Sequence, residues 1–509
     1  MRTIKTNSRA AALLVAVLII AQAAFATDFE ANLEKTFQVA APGKLILEAD
    51  RGSIEVKTDA QGQVQVHVYR KVSGGSKAEA DKLFSDHEVS LTQDGNKVVV
   101  VAKNKAGSRI GWTRNSHGLE VRYEISIPKK FDVDLKTAGG NVRLDDLDGN
   151  ALAHTSSGFI KLARVSGTVD ASDAGGNISI MEAGASLTAK TSSGSIEVEK
   201  AAGTAQLSDA GGNIRVSEAG SEIEASTSSG SIKISAAQGD VTVKNAGGDI
   251  AIGSAGGSVK ASTSSGSIRV TAAKGSLTLN NAGGNVEVGE AQADVSASTS
   301  SGAIKVASAK GSVLARNAGG NVTLGQIGNT VSAQTSSGSV TLKSAKGKVE
   351  IRNSGGNIAL ENVDADAALS TSSGSIKVAH AVGKLELKNS GGSIDVGGAK
   401  DSVVARTSSG QIEVTFDSVP KTETRLEVSG GGIKVSMPRS AAVDLDAKAS
   451  GGSVTSDLPV TAIIRDTHHR DGLEGKINGG GPLLFLRASS GDIRLFGIGS
   501  GSQQAEAEK

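Results

Sequence analysis

From Thr137 to Arg406, aliphatic residues recur two apart, in two pairs per eighteen residues, with glycine between the pairs. In Thr227–Lys244, TSSGSIKISAAQGDVTVK, Ile232 and Ile234 form one pair and Val241 and Val243 the other, with Lys233 and Thr242 between the members. A period of two puts both members of a pair on one face of a strand and the polar residue on the opposite face. The stretches AAQG and NAGG between the pairs supply turns, because glycine takes backbone angles closed to other residues. Each unit therefore reads strand, turn, strand, turn.

The unit occurs fifteen times without a gap. Its fourth position is always glycine, as in Gly158, Gly194 and Gly230. Positions 6 and 8 are aliphatic, position 11 is usually alanine, and positions 15 and 17 are again apolar. Openings alternate between TSSG and an AGG or SGG type, so the full period is 36 residues. One such unit cannot bury its own apolar face, but stacked units pair their backbones and line a shared core. The expected fold is all-β: a single-stranded parallel β-helix, or β-solenoid, with 18-residue coils and irregular capping ends. With strands about 4.8 Å apart, fifteen coils make a rod roughly 70 Å long. The prolines (Pro42, Pro128, Pro420, Pro438, Pro459, Pro482) all lie outside the array, as a ladder intolerant of a missing N–H requires. Position 17 is larger in many TSSG units (Leu207, Val243, Leu279) and alanine in the others (Ala189, Ala225, Ala261). That contrast predicts wide coils nested against narrow ones.

The flanks divide the chain further. Residues 1–26 read as a signal peptide: Arg2, Lys5 and Arg9 precede the apolar run Ala10–Ala21, and Ala24-Phe25-Ala26 offers a cleavage site after Ala26. Residues 27–136 read as an N-terminal capping region with the first coils, including GKLILEADRGSIEVKT as an early coil and a short helix begun by Ser76. Residues 137–415 are the regular solenoid, 416–498 irregular C-terminal coils and a cap, and 499–509 a disordered tail. Phe159 is the only Phe, Tyr or Trp within the array, so large rings gather at the ends, where a solenoid must cover its core and blunt its edge strands.

Composition adds a few exclusions. A net charge of +1 argues against a dedicated nucleic-acid binder. The chain has no cysteine, hence no disulfides. After the signal peptide no run approaches the roughly 20 apolar residues of a membrane-spanning helix. These features predict a periplasmic or secreted protein.

The search for chemistry yields little. Asp145, Asp146 and Asp148 at the first turn are candidates for a cation, but solvated turn residues explain them better. In DTHHRDG, Asp466, His468, His469 and Asp471 resemble a metal cluster, yet adjacent histidines on an extended chain face opposite ways. The calcium β-roll needs an Asp in every half-coil, which the repeat lacks, and no phosphate-binding glycine loop opens a helix. No catalytic, cofactor-binding or metal residue is therefore assigned, no cofactor is expected, and the chain is read as a non-enzyme. Two repetitive features remain. Position 1 alternates Thr and Asn (Thr263, Asn281, Thr299, Asn317), a ladder that satisfies local backbone groups or, alternatively, faces a repetitive glycan or ice surface. Position 7 of the TSSG units is mostly basic (Lys161, Lys233, Arg269, Lys305) but broken by Glu197 and Glu413; it reads as a solvated face or as a weak attractor of acidic envelope polymers.

PGKLILEADRGSIEV, YEISIPKKFDVDLKTAGGNVRL and ASSGDIRLFGIG, together with the repeated SGxI pattern, resemble the toastrack adhesin-like domain of bacterial envelope proteins. The resemblance covers most of the chain after the signal peptide. It implies a right-handed β-helix outside the cytoplasm, sometimes tied to envelope stress systems, and brings no catalytic residues. The expected function is a cell-envelope scaffold or adhesin-like binding module whose partner is an envelope polymer, glycan or protein. The alternative is a carbohydrate-binding or carbohydrate-active protein with its site in 416–498.

Overall fold

The structure is a computed structural model that describes residues 28–105, 118–462 and 471–499. The signal-peptide reading of 1–26, the tail from 500 onward, and Asp466, His468 and His469 lie outside those residues. The chain winds into a parallel β-solenoid of about 17 turns with coils of about 18 residues.

Each regular coil gives one strand to each of two long parallel sheets. In the first sheet Ile232–Ala237 lies between Ile214–Ala219 and Ile250–Ala255, in the register Ile214, Ile232, Ile250. In the second, Val241–Asn245 lies between Ile223–Thr227 and Val259–Thr263, in the register Ile223, Val241, Val259. Equivalent residues therefore stack in columns along the rod. Positions 6, 8, 11, 15 and 17 point inward: Ile232, Ile234, Ala237, Val241 and Val243 are all buried. Burial of each large aliphatic contributes about 1.5–3 kcal/mol, but only when a neighbouring coil closes the stack above and below.

The expected alternation of layer volume holds over only part of the rod. Position 17 alternates from Ala189 to Ala297, but Ala297, Ala315 and Ala333 stack consecutively, as do Ile351, Leu369 and Leu387. In some coils volume is exchanged within the coil. Where position 17 is Ala333 or Ala153, position 11 grows to Ile327 or Leu147, and where position 15 shrinks to Ala367, position 11 is Val363. Close packing constrains the filled cross-section rather than any one column.

The ends are not simply the first and last coils of the chain. At the N-terminus Gly43–Ala49 is held between Lys97–Asn104 and Phe131–Thr137, and Ser53–Lys57 between Leu119–Ser126 and Val142–Leu144. A later segment thus covers an earlier coil, and two antiparallel strands, Gln63–Ser73 and His87–Asp94, close the two sheets outside it. The C-terminus repeats this in the second sheet only, the first ending in the parallel strand Val454–Ser456. Leu483–Ser490 inserts between Thr424–Gly430 and Val443–Ala449, and Gly472–Ile477 runs antiparallel on the outside. Antiparallel closure stops the ladder from recruiting another parallel strand. The helix Lys77–Asp86 forms as expected: Ser76 caps it, and a capping box pairs Ser76 with Glu79. Tyr123, Phe131 and Phe416 are the bulkiest fully buried side chains, all near the ends.

Candidate functional site

The columns explain why the repeat is written in pairs. Position 1 points inward at the corner between the sheets, and it is buried from Thr137 through Thr407. In TSSG coils the Thr hydroxyl donates to the glycine carbonyl fifteen residues earlier: Thr227 Oγ1 to Gly212 O at 3.0 Å, Thr335 to Gly320 at 3.0 Å. In NAGG coils Asn does more. Asn245 Nδ2 donates to Gly230 O at 2.7 Å, while Oδ1 accepts from the Gly247 and Gly248 amides at 3.1 Å. The Thr/Asn ladder thus saturates backbone groups inside the wall, and the surface-recognition alternative for it falls away. A second ladder lies at position 5. Asn177, Asn213, Asn285 and Asn321 each accept the amide of the residue eighteen positions on, for example Ser231 N to Asn213 Oδ1 at 2.8 Å. Two unlike turns therefore form one hydrogen-bonding unit of 36 residues.

Position 4 is glycine for a steric reason. A Cβ on Gly230 would stand 1.8 Å from Gly212 O, and one on Gly266 would stand 2.1 Å from Gly248 O. Backbone passes over backbone there, and no side chain fits.

Asp173 and Asp209 depart from this pattern. They occupy the Asn position, and Oδ1 of each accepts an amide, from Gly175 and Gly211 at 3.0 Å. Oδ2 of each is buried without a hydrogen-bond partner. A Cβ on Gly176 would lie 1.3 Å from Gly158 O and 2.6 Å from Asp173 Oδ2, so two oxygens crowd the space that an Asn Nδ2 fills elsewhere.

The outward rows carry the charge. The basic stripe expected at position 7 is interleaved by the intervening coils. Glu287 sits between Arg269 and Lys305 and binds both, at 2.8 and 3.6 Å, so its carboxyl is held below the usual range, chiefly by the Arg269 hydrogen bond. Lys377 meets Asp395 at 3.7 Å and Glu413 meets Lys434 at 2.6 Å. From Arg269 onward the row is largely paired with acids from the intervening coils, whereas nearer the N-terminus Arg143 adjoins Lys161 and Arg215 adjoins Lys233. At the first turn Asp146 binds Arg164, which lowers its pKa, and Asp148 accepts the Ser166 hydroxyl at 2.8 Å. Asp145 is instead raised, first by burial and then by Glu55. Asp146 and Asp148 are thus each taken up by a different partner. Among the described residues no group of three or more His, Asp or Glu could hold a metal.

Sequence reading missed a buried cluster in the N-terminal cap. His87, at the end of the helix, is 1 % exposed, and its Nε2 meets Tyr123 Oη at 3.3 Å while its Nδ1 has no partner. Arg70 donates to the His87 and Phe84 carbonyls at 3.3 and 3.1 Å. Burial, followed by Arg70 and Arg51, pulls His87 down to about 4, and burial pushes Tyr123 up. Spacing gave no signal for this cluster, because its members lie on three separate elements. In the C-terminal coils Phe485 is stacked between Arg425 and Arg487, whose guanidinium carbons lie 4.0 and 3.8 Å from the ring centre. The ring is covered on both faces, and Phe496 stands on the other sheet.

The model of the Toastrack DUF4097 family matches residues 44–307 and 294–495. No curated protein matches the chain. Among solved structures, it is similar to an adhesin candidate from Bacteroides fragilis at 16% identity and a TM-score of 0.24, over 56% of this chain and 97% of that one. It is also similar to a candidate cell-adhesion protein from Clostridium sporogenes at 8% identity and a TM-score of 0.14, over 92% of this chain and 100% of that one. A candidate lipid-binding protein from Parabacteroides distasonis matches at 13% identity and a TM-score of 0.14, over 74% of this chain and 96% of that one. With the family's model spanning nearly the whole stack and both of its interleaved ends, the chain belongs to the Toastrack DUF4097 family.

Proposed function

We propose that the protein is an exported cell-envelope component whose solenoid works as a scaffold or adhesin-like binding module without catalysis. One observation carries this reading: antiparallel strands cover both sheets at the N-terminal end and one of the two at the C-terminal end, so the broad accessible surface is the long side of the rod. A surface of that kind suits contact with an extended partner, since equivalent residues recur about every 4.8 Å along it. The separately paired or hydrogen-bonded carboxylates Asp146, Asp148 and Glu287 support a binding role over glycoside hydrolysis, which typically uses two carboxyls flanking one bond. No helix among the described residues is long and apolar enough to cross a membrane. Export follows from the N-terminal segment, with cleavage after Ala26.

The test combines location with activity. N-terminal sequencing of protein from a fractionated expression host should read Thr27 first, in the periplasmic or secreted fraction. Purified protein on envelope extracts and a glycan array should bind without releasing reducing sugar. Saccharide release that persists through purification would reject the non-catalytic reading.

A further inference from the structure

At the N-terminal end the second sheet is closed by one strand. His87–Asp94 covers the edge of Lys97–Asn104, antiparallel, from His87 beside Asn104 to Asp94 beside Lys97. The covered run is strand-prone: Val98, Val100 and Ala102 are buried, and KVVVVAKN holds no acid, Pro or Gly. An uncovered edge of that composition is a template for stray pairing. Yet the cover is lightly held. His87 is its only buried side chain, with Val89 and Leu91 half-buried, and the helix Lys77–Asp86 before it fully buries Ala80 alone.

The one deep anchor is titratable, and its surroundings disfavour a charge. Arg70, from Gln63–Ser73, donates to the His87 and Phe84 carbonyls. Asp50 and Arg51 face it from the corner after Gly43–Ala49, and Tyr123 from Leu119–Ser126. Both arginines oppose a charged ring, ahead of the attraction from Asp50. Asp50 already gives its Oδ2 to the Asn104 amide at 2.9 Å. On the chain beside His87, Glu88 pairs outward with Lys105 at 3.5 Å, and Asp86 ends the helix. Even with a neutral ring the cluster is poorly satisfied: His87 Nδ1, Arg51 Nε and Asn104 Oδ1 are buried without partners.

We propose that His87–Asp94 is an acid-released clasp: protonation of His87 lifts this strand and the end of the helix from the cap while the coils behind stay wound. A cation held between two guanidiniums away from water is costly unless it is paired. The cheapest route to water is local, because the strand pairs with another on one side only and buries little of itself. A hinge is in place, since Gly74 and Gly75 just before the helix both have positive φ, 77° and 79°. Release bares the edge of Lys97–Asn104. Freed from the cap, His87 titrates near 6.5 rather than about 4, so opening should become roughly a hundredfold more frequent between pH 7 and pH 4.

The purified full-length protein is followed by amide hydrogen exchange at pH 7 and pH 4, with rates corrected for the intrinsic effect of pH. A roughly hundredfold loss of protection confined to residues 77–104 is expected in acid, restored on return to neutral pH, with strands 214–263 unchanged. His87→Gln and His87→Leu, which cannot titrate, should keep the neutral-pH protection at pH 4. Arg51→Gln, which removes one opposing charge and leaves the histidine, should shrink the acid response several-fold. Equal acid opening in a folded His87 variant, an undiminished response in Arg51→Gln, protection lost along the whole rod at once, or a wild-type cap still protected at pH 4 overturns the assignment.

Discussion

Replacing Asp173 and Asp209 by asparagine should stabilise the rod. In five other coils an Asn at this place donates Nδ2 to a glycine carbonyl at 2.7 to 2.8 Å. In these two coils the matching atom is a buried carboxylate oxygen with no partner. An unsatisfied buried acceptor costs about 1–3 kcal/mol, and a neutral hydrogen bond adds about 1 kcal/mol. Against that, each substitution removes a negative charge from a groove that holds Lys190 and Lys244. Attraction to exposed lysines amounts to about 0–1 kcal/mol, so the hydrogen bond wins. The net expectation is about 1–2 kcal/mol per site, and the sites, two coils or roughly 10 Å apart, should add. A long repeat array does not have to unfold in one step. The assay is therefore amide hydrogen exchange across coils 155–227 beside a urea titration. Slower exchange there and a higher midpoint are expected for D173N/D209N, and Asn245→Asp should do the reverse around residue 245. A double variant that exchanges at the wild-type rate, or faster, would refute the account of the ladder.

Other outcomes follow from the same geometry. Gly230→Ala should cost more than about 2 kcal/mol, because the new Cβ meets backbone, whereas Gly247→Ala, whose nearest atom is Ser228 O at 3.2 Å, should cost clearly less; comparable melting losses would contradict the glycine column. Leu279→Ala should cost about 3 kcal/mol, since Ala261 and Ala297 on either side cannot fill the space; calorimetry reads it. His87 is held near 4 against about 6.5 when unfolded, so the unfolded chain binds the extra proton as pH falls. Stability should be complete above pH 6.5 and lost as pH drops through 4, by up to about 3 kcal/mol, and His87→Leu should flatten that slope in urea midpoints taken from pH 7 to 4.

Much of the architecture is written in the sequence. Local alternation at Ile232/Ile234 and Val241/Val243 sets strand faces, glycine sets turns, and an unbroken period forces equivalent residues into columns. Ser76 announced the helix, whose cap with Glu79 consists of purely local bonds. Three things were not legible, each because it depends on what lies beside a residue rather than next to it in the chain. The insertion of Leu483–Ser490 between earlier coils is a long-range pairing. The cluster of Arg70, His87 and Tyr123 joins separate elements of the cap. The ion pairs along position 7 emerge only when both kinds of coil are read together, because Glu287 and Asp395 stand in the coils between the TSSG turns.

The pairing of unlike turns has a consequence for how such rods change size. Removing a single coil would set two TSSG turns against each other and strand the amide that an Asn at position 5 had been accepting, as Asn213 accepts from Ser231. Removing two leaves every junction as it was. Growth and shrinkage by duplication should accordingly proceed in steps of two layers, roughly 10 Å. Such a protein is a gauge whose span evolution can lengthen by whole increments without redesigning either terminus.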